Sequence, residues 1–156
     1  MDTYDPSGPE TQAGGGALFR LDAITERTRQ EFLDRICLAL GGLAAEETIF
    51  GTRGAGGGGN PGSDLHVATI DALLMEASYG LGGGLAYLSS EREEDLLSTL
   101  QINVDVRKRV NGVLAEQFQR ARDILQGQRA ELEQLAFELY GKRALSPDEV
   151  RCVVEM

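Results

Sequence analysis

The sequence is poor in the residues that build metal and disulfide sites. Its 156 residues include one histidine, His66, two cysteines and no tryptophan. A site that needs two imidazoles from a single chain is therefore excluded. Two cysteines are too few for a disulfide scaffold at this length, and the first residues do not show the basic and then apolar pattern of a secretory leader. These absences favour a reducing, cytoplasmic setting.

Positive charge and long apolar runs are also scarce. Lys and Arg total 15 against 25 for Asp and Glu, which gives a formal net charge of -10. Phosphate backbones and anionic membrane surfaces would repel such a chain. The longest uncharged stretch in the helical part covers residues 36–45, whereas crossing a bilayer takes about 18 apolar residues or more. We expect neither a nucleic-acid partner nor a membrane-spanning segment in this chain.

Glycine is abundant instead, with 20 residues, or about twice its usual share of roughly 7%. Residues 1–16 combine Gly and Pro with short polar residues, which predicts a flexible N-terminal segment followed by one domain over residues 17–156. The run at residues 17–21 alternates in the manner of one short strand. Seven glycines lie within residues 51–62 and predict a flexible loop.

Apolar residues recur at helical spacing through most of the remaining chain and predict an all-α domain of about five helices. The first helix starts at the capping-box pair Thr28 and Glu31 and runs to about residue 50. At its centre, Gly41 and Gly42 indicate either a kink or the close approach of a second helix. Residues 85–99 are predicted to form a loop with at most a short turn of helix.

The other predicted helices have recognisable ends. Ser63 is a suitable N-cap for the second helix, and a long third helix covers about residues 102–126. The fourth is closed by Gly141, and the fifth begins at Ser146, which is followed by Pro and, three residues on, by Glu.

Bare spacing assigns no chemistry to the polar residues. Residues 54–59 formally match G-x-G-x-x-G, but a long helix precedes them where a nucleotide site needs a strand. Glu46 and Glu47 point about 100° apart on a helix, so at most one faces inward. Asp64 suits the positive end of a helix dipole without any function. His66 points about 200° away from Asp64 and is predicted to be an exposed histidine.

Four blocks of the sequence match one known pattern in order. Residues 33–51 read LDRICLALGGLAAEETIFG, residues 62–69 read GSDLHVAT, residues 79–80 read YG and residues 144–150 read ALSPDEV. They resemble the DRI…LGGRAAEE…FG, NDL…AT, YG and L…EEV blocks of the peptidase domain of the FtsH family, the membrane-anchored ATP-dependent zinc metalloproteases. The resemblance covers about residues 17–155 and implies the helical bundle of that peptidase domain.

The resemblance also implies roles for two residues. Asp64 stands at the position of the third zinc ligand, beside two histidines that the family takes from an H-E-x-x-H helix. Glu46 matches the first glutamate of the AEE block, which orients a zinc-bound histidine. This chain contains no H-E-x-x-H, so we expect no catalytic residue and no bound zinc in the isolated chain, and zinc in a full-length parent.

Three departures from the family pattern accompany the missing motif: Leu43 replaces the usual Arg, Ser63 replaces the usual Asn, and the loop before Asp64 is mostly glycine. The ATPase module and the membrane anchor are absent as well. We therefore expect a truncated, C-terminal portion of an FtsH-like peptidase domain that is inactive alone. The implied parent degrades polypeptides as a homohexamer anchored to the inner membrane, with this domain on the cytoplasmic side.

Two other readings stay open at this point. The chain could be a free-standing, non-catalytic helical adaptor or assembly subunit derived from that domain. Alternatively, two copies could share a zinc ion through His66 and Asp64.

Overall fold

The computed structural model describes residues 27–155. The predicted flexible segment 1–16 and the strand predicted at residues 17–21 lie outside the described residues. Within the described range the chain has seven α-helices and no strand, which confirms the all-α class and corrects the predicted number of about five. In chain order these are α1 (Arg29–Ala39), α2 (Gly41–Phe50), α3 (Asp64–Leu73), α4 (Glu93–Ile102), α5 (Val104–Gly127), α6 (Arg129–Lys142) and α7 (Pro147–Val154).

The predicted first helix is divided at Leu40. Its start is as expected, because the Thr28 hydroxyl accepts a hydrogen bond from the Glu31 N–H and the Glu31 carboxylate accepts one from the Thr28 N–H. Leu40 ends α1, and α2 begins at Gly41. The break that directly precedes Gly41 agrees with the predicted kink. Close helix packing is not seen at the glycine pair, where only the Asp64 side chain of α3 lies beside Gly42.

The prediction of a loop over residues 85–99 was wrong in its second half, where α4 begins at Glu93. The apolar pattern of this helix is short, and its first turn carries only acidic residues, which favour a helix N-terminus through the dipole. Leu96 is nevertheless fully buried. Asn103 then separates α4 from α5 and caps α5 by accepting hydrogen bonds from the backbone N–H groups of Asp105 and Val106.

The core lies between α1, α3, α4 and α5. The long helix α5 packs against α1, α2, α3 and α4. Helix α6 packs on α2, α5 and α7, and α7 packs mainly on α6. None of the helices in the described range has the length and apolarity that a bilayer crossing requires. The largest fully buried side chains are Phe32, Ile36, Leu73, Met75, Leu96, Val106 and Val110.

A π-helical turn, Leu74–Ser78, continues α3. The Tyr79 N–H donates to the Leu74 carbonyl oxygen at 3.0 Å, a separation of five residues instead of the usual four. The wider turn contains three successive buried residues, Met75, Glu76 and Ala77.

Candidate functional site

Asp64 is the first residue of α3 and is exposed. The preceding residue, Ser63, caps the helix by accepting a hydrogen bond from the His66 N–H at 3.4 Å. Asp64 Oδ2 lies 3.4 Å from the position that a Cβ atom would take at Gly42. No hydrogen bond or ion pair to a described residue engages this carboxylate. The exposed Asp64 carboxylate therefore lies beside α2 at Gly42.

Glu46 lies on the same side of α2 as Gly42, because residues four apart on a helix are neighbours. Its Oε2 accepts a hydrogen bond from the Gly54 N–H at 2.7 Å. Glu47 points elsewhere and pairs with Arg53 and Arg122, each at 3.0 Å. The structure thus brings Glu46 and Asp64 to one side of α2 and directs Glu47 away from them.

The glycine-rich loop between α2 and α3 is tethered to the helices along its length. The Arg53 guanidinium lies 5.0 Å from the centre of the Phe118 ring. Further along, Gly57 packs so closely on Leu43 that a Cβ atom would lie 2.7 Å from Leu43 Cγ and Cδ2. Glycine at position 57 therefore lets the loop lie directly on α2. The sequence indicated flexibility here but gave no sign of these contacts.

His66 is not the exposed histidine that we predicted. Its side chain is 22% exposed, and both ring nitrogens are engaged. Nδ1 accepts a hydrogen bond from the Gly62 N–H at 3.0 Å, and Nε2 lies 3.2 Å from Glu93 Oε1. The prediction failed because Glu93 belongs to α4, the helix that the sequence pattern did not reveal. A zinc ion shared between copies through His66 and Asp64 gains no support, since neither ring nitrogen is available.

The residues of this chain fit one ligand of a zinc site and not a complete set. Zinc sites in peptidases take three protein ligands, and His66 is the only histidine in the 156 residues. Among residues 27–155, no group of three or more His, Cys, Asp or Glu side chains could hold a metal ion. The Asp64 carboxylate has suitable donor chemistry, but two imidazoles would have to come from elsewhere.

Comparisons with known proteins agree with the resemblance seen in the sequence. The model of peptidase family M41 matches residues 9–153. The ATP-dependent zinc metalloprotease FtsH 1 of Methylacidiphilum infernorum is 34% identical over 147 residues, which cover 82% of this chain and 21% of that protein. The ATP-dependent zinc metalloprotease FtsH of Bacillus subtilis is 28% identical over 161 residues, which cover 94% of this chain and 24% of that protein.

A third relative, the ATP-dependent zinc metalloprotease FtsH of Methylococcus capsulatus, is 33% identical over 138 residues that cover 81% of this chain and 21% of that protein. The chain thus spans between a fifth and a quarter of the length of these curated relatives. The family match covers most of the sequence, and the helical fold agrees with it. The chain therefore belongs to peptidase family M41, as an FtsH-like peptidase domain.

Proposed function

We propose that this chain is the C-terminal portion of the peptidase domain of an ATP-dependent zinc metalloendopeptidase, and that Asp64 supplies one of the zinc ligands. The observation that carries the proposal is the exposed Asp64 carboxylate at the start of α3, beside Gly42 of α2, with which no described residue forms a hydrogen bond or ion pair. The family match and the names of the relatives support the chemistry. Bound zinc would supply a Lewis acid for peptide-bond hydrolysis.

In this proposal Glu46 orients one of the zinc-bound histidines. Support comes from its place on the side of α2 that also faces Asp64. Its Oε2 is engaged by the Gly54 N–H, while no hydrogen bond to a described residue uses Oε1. One carboxylate oxygen therefore holds the loop, and the other remains to accept an imidazole N–H. Such a hydrogen bond fixes the ring orientation of a ligand histidine.

The isolated chain is inactive in this proposal, because it lacks the H-E-x-x-H histidines and glutamate. Polypeptide degradation, a homohexameric assembly and an inner-membrane anchor with this domain on the cytoplasmic side are proposed for the whole protein only. Family membership supports these three properties.

The proposal is tested on the isolated chain and on the native protein. The isolated chain should hold no stoichiometric zinc and should not hydrolyse casein. The native protein, captured with an antibody to this domain, should be several-fold heavier than this chain and should contain zinc. Casein hydrolysis by the isolated chain that both a chelator and Asp64→Ala abolish would contradict the proposal.

Asp64→Asn in the native protein should lower its zinc content. The matched control is Asp105→Asn, because Asp105 also lies in the first turn of a helix and is exposed. Both substitutions remove a favourable charge from a helix N-terminus. Equal zinc content in the two variants would show that Asp64 is not a ligand.

A second candidate function is a non-catalytic adaptor, which one surface feature favours. Helix α6 has no buried residue, and it carries Phe137 and Tyr140, which are 78% and 87% exposed. The two side chains lie three residues apart, so both can belong to one exposed apolar patch, and large patches of this kind mark interaction sites. For an adaptor, the native mass would equal that of this chain, and partner binding would be unchanged by Asp64→Asn but reduced by Phe137→Ser.

A further inference from the structure

We infer that His66 is a positioning residue for Asp64: its ring fixes the backbone on the N-terminal side of Asp64 and thereby the direction in which the carboxylate leaves α3. The inference rests on the proposed function only in that the ligand of Asp64 is taken to be zinc. The positioning itself follows from contacts around the start of α3.

The two hydrogen bonds of the ring define its tautomer. The Gly62 N–H donates to Nδ1 at 3.0 Å, so Nδ1 carries no proton. The proton of the neutral ring is therefore on Nε2, which donates to Glu93 Oε1 at 3.2 Å. Through this ring the end of the glycine-rich loop is joined to the first turn of α4. A side chain with only one of the two functions could not make both links.

The residues before Asp64 are held in an unusual conformation by these links. Gly62 has a φ of +83°, in the left-handed region that favours glycine. Next in the chain, the Ser63 N–H donates to the Asn60 carbonyl oxygen at 3.1 Å, while the Ser63 hydroxyl accepts from the His66 N–H. Gly62 and Ser63, the two residues before Asp64, are thus both hydrogen-bonded to His66, Gly62 through the imidazole ring and Ser63 through the backbone N–H. Asp64 Oδ2 then lies beside Gly42.

A different role for His66 would be to stabilise α3 as an accessory cap. The two roles predict different measurements, because a cap changes how often the helix opens and a positioning residue changes where Asp64 points in the folded state. Residual dipolar couplings of the Asp64 backbone, measured relative to those of α2, report that direction. Amide hydrogen exchange of Gly62 reports the hydrogen bond to Nδ1.

The experiment uses the labelled 156-residue chain and three variants of His66. His66→Phe removes both ring functions, and His66→Gln keeps a donor near the Nε2 position but no acceptor near Nδ1. In both variants the Asp64 couplings should change and Gly62 exchange should accelerate by about tenfold, which corresponds to the loss of one hydrogen bond. His66→Asn keeps an acceptor near Nδ1 but has no donor that reaches Glu93, so Gly62 exchange should return towards its original rate and the Asp64 couplings should be restored in part. The glutamine variant keeps the test decisive if the phenylalanine variant does not fold.

Asn103→Ala is the control for stability, since it removes two capping hydrogen bonds at α5 without touching the loop. It should destabilise the chain and leave the Asp64 couplings unchanged. Unchanged couplings in His66→Gln, or equal changes in Asn103→Ala, would overturn the inference. These measurements need no zinc. A failure of the zinc proposal would be seen in the zinc content of Asp64→Asn, so it can be distinguished from a failure of this inference.

Discussion

Asp71 on α3 and Arg35 on α1 form an ion pair at the edge of the core, with Arg35 Nη2 3.0 Å from Asp71 Oδ1. Asp71 is only 3% exposed. The second carboxylate oxygen, Oδ2, and Arg35 Nε are buried without a hydrogen-bond partner among the described residues. The pair joins α1 to α3, but it leaves two polar atoms unsatisfied.

Removing one partner of this pair should lower the free energy of unfolding more than removing both. Arg35→Met leaves the Asp71 carboxylate buried without a counter-charge, and the free energy of unfolding should fall by about 3 kcal/mol. The double variant Arg35→Met/Asp71→Leu replaces the pair by apolar groups and should lose much less. Urea unfolding of the single and double variants measures the difference. A double variant less stable than Arg35→Met would contradict this account.

The pH dependence of stability should carry the signature of Asp71. Burial raises the pKa of this carboxyl above its ordinary value of 3.8, and the Arg35 guanidinium opposes the rise only in part. Between 3.8 and the raised pKa, the folded state binds a proton that the unfolded state has lost, so stability decreases as pH increases through this window. Asp71→Asn should lack this decrease. Parallel stability profiles of the two proteins between pH 4 and 7 would show that the shift is absent.

Glu76 should hold the loop that follows the π turn. Its buried carboxylate accepts hydrogen bonds from the Gly83 N–H at 3.0 Å and from Arg109 Nε at 2.8 Å. Glu76→Met removes both, so the free energy of unfolding should fall by about 2 kcal/mol and the Gly83 amide should exchange faster. Glu94→Met is the control, because the pair that Glu94 forms with Arg92 is exposed. Unaltered exchange of Gly83 in Glu76→Met would refute the proposed link.

A side chain at position 57 should lower the stability of the chain while Leu43 is present. In Gly57→Ala the new Cβ meets Leu43 Cγ, which cannot move without the rest of its side chain, so we expect a loss of about 1–3 kcal/mol. Adding Leu43→Ala should recover part of it. Gly56→Ala is the matched control, since a Cβ there has no neighbour within 4 Å. Equal losses at positions 56 and 57 in thermal unfolding would exclude a steric cause.

Acid should destabilise the start of α7 by protonating the Glu149 carboxylate. The pKa of Glu149 is lowered from 4.5 to about 2, first by the hydrogen bond from the Ser146 N–H and then by Lys142. Its stabilising contribution is therefore fully present above pH 4.5 and is lost as pH falls towards 2. Lys142→Met should raise this pKa in a carboxyl NMR titration. Arg151→Met is the comparison, because Arg151 pairs with Asp148 instead, and an equal rise there would contradict a specific effect of Lys142.

The elements that the sequence predicted well depend on local rules. The capping boxes at Thr28 and Ser146 act within a single turn, and both are present. Helix α4 was missed because its apolar residues are few and its stability comes from packing Leu96 into a core built by distant helices. The division of the first helix at Leu40 was also missed, because the apolar side chains keep helical spacing through the break.

For the candidate site, the resemblance predicted roles for Asp64 and Glu46, but not the atoms that they contact. The hydrogen bond from Gly54 to Glu46 joins residues eight apart in the sequence, from α2 to a loop whose path no periodicity encodes. The pairing of His66 with Glu93 spans 27 residues and exists only because α4 packs beside α3. Such contacts depend on tertiary structure, so composition and spacing could not provide them.

The π turn at the end of α3 also has a consequence for chain length. Such a turn holds one residue more than an α-helical turn. A chain with one residue fewer between Leu73 and Tyr79 would close this stretch as ordinary α-helix and keep the flanking contacts. It would lose the wide turn in which Glu76 is buried. An M41 domain that is one residue shorter at this point would therefore lack the buried carboxylate that here binds the following loop through the Gly83 N–H.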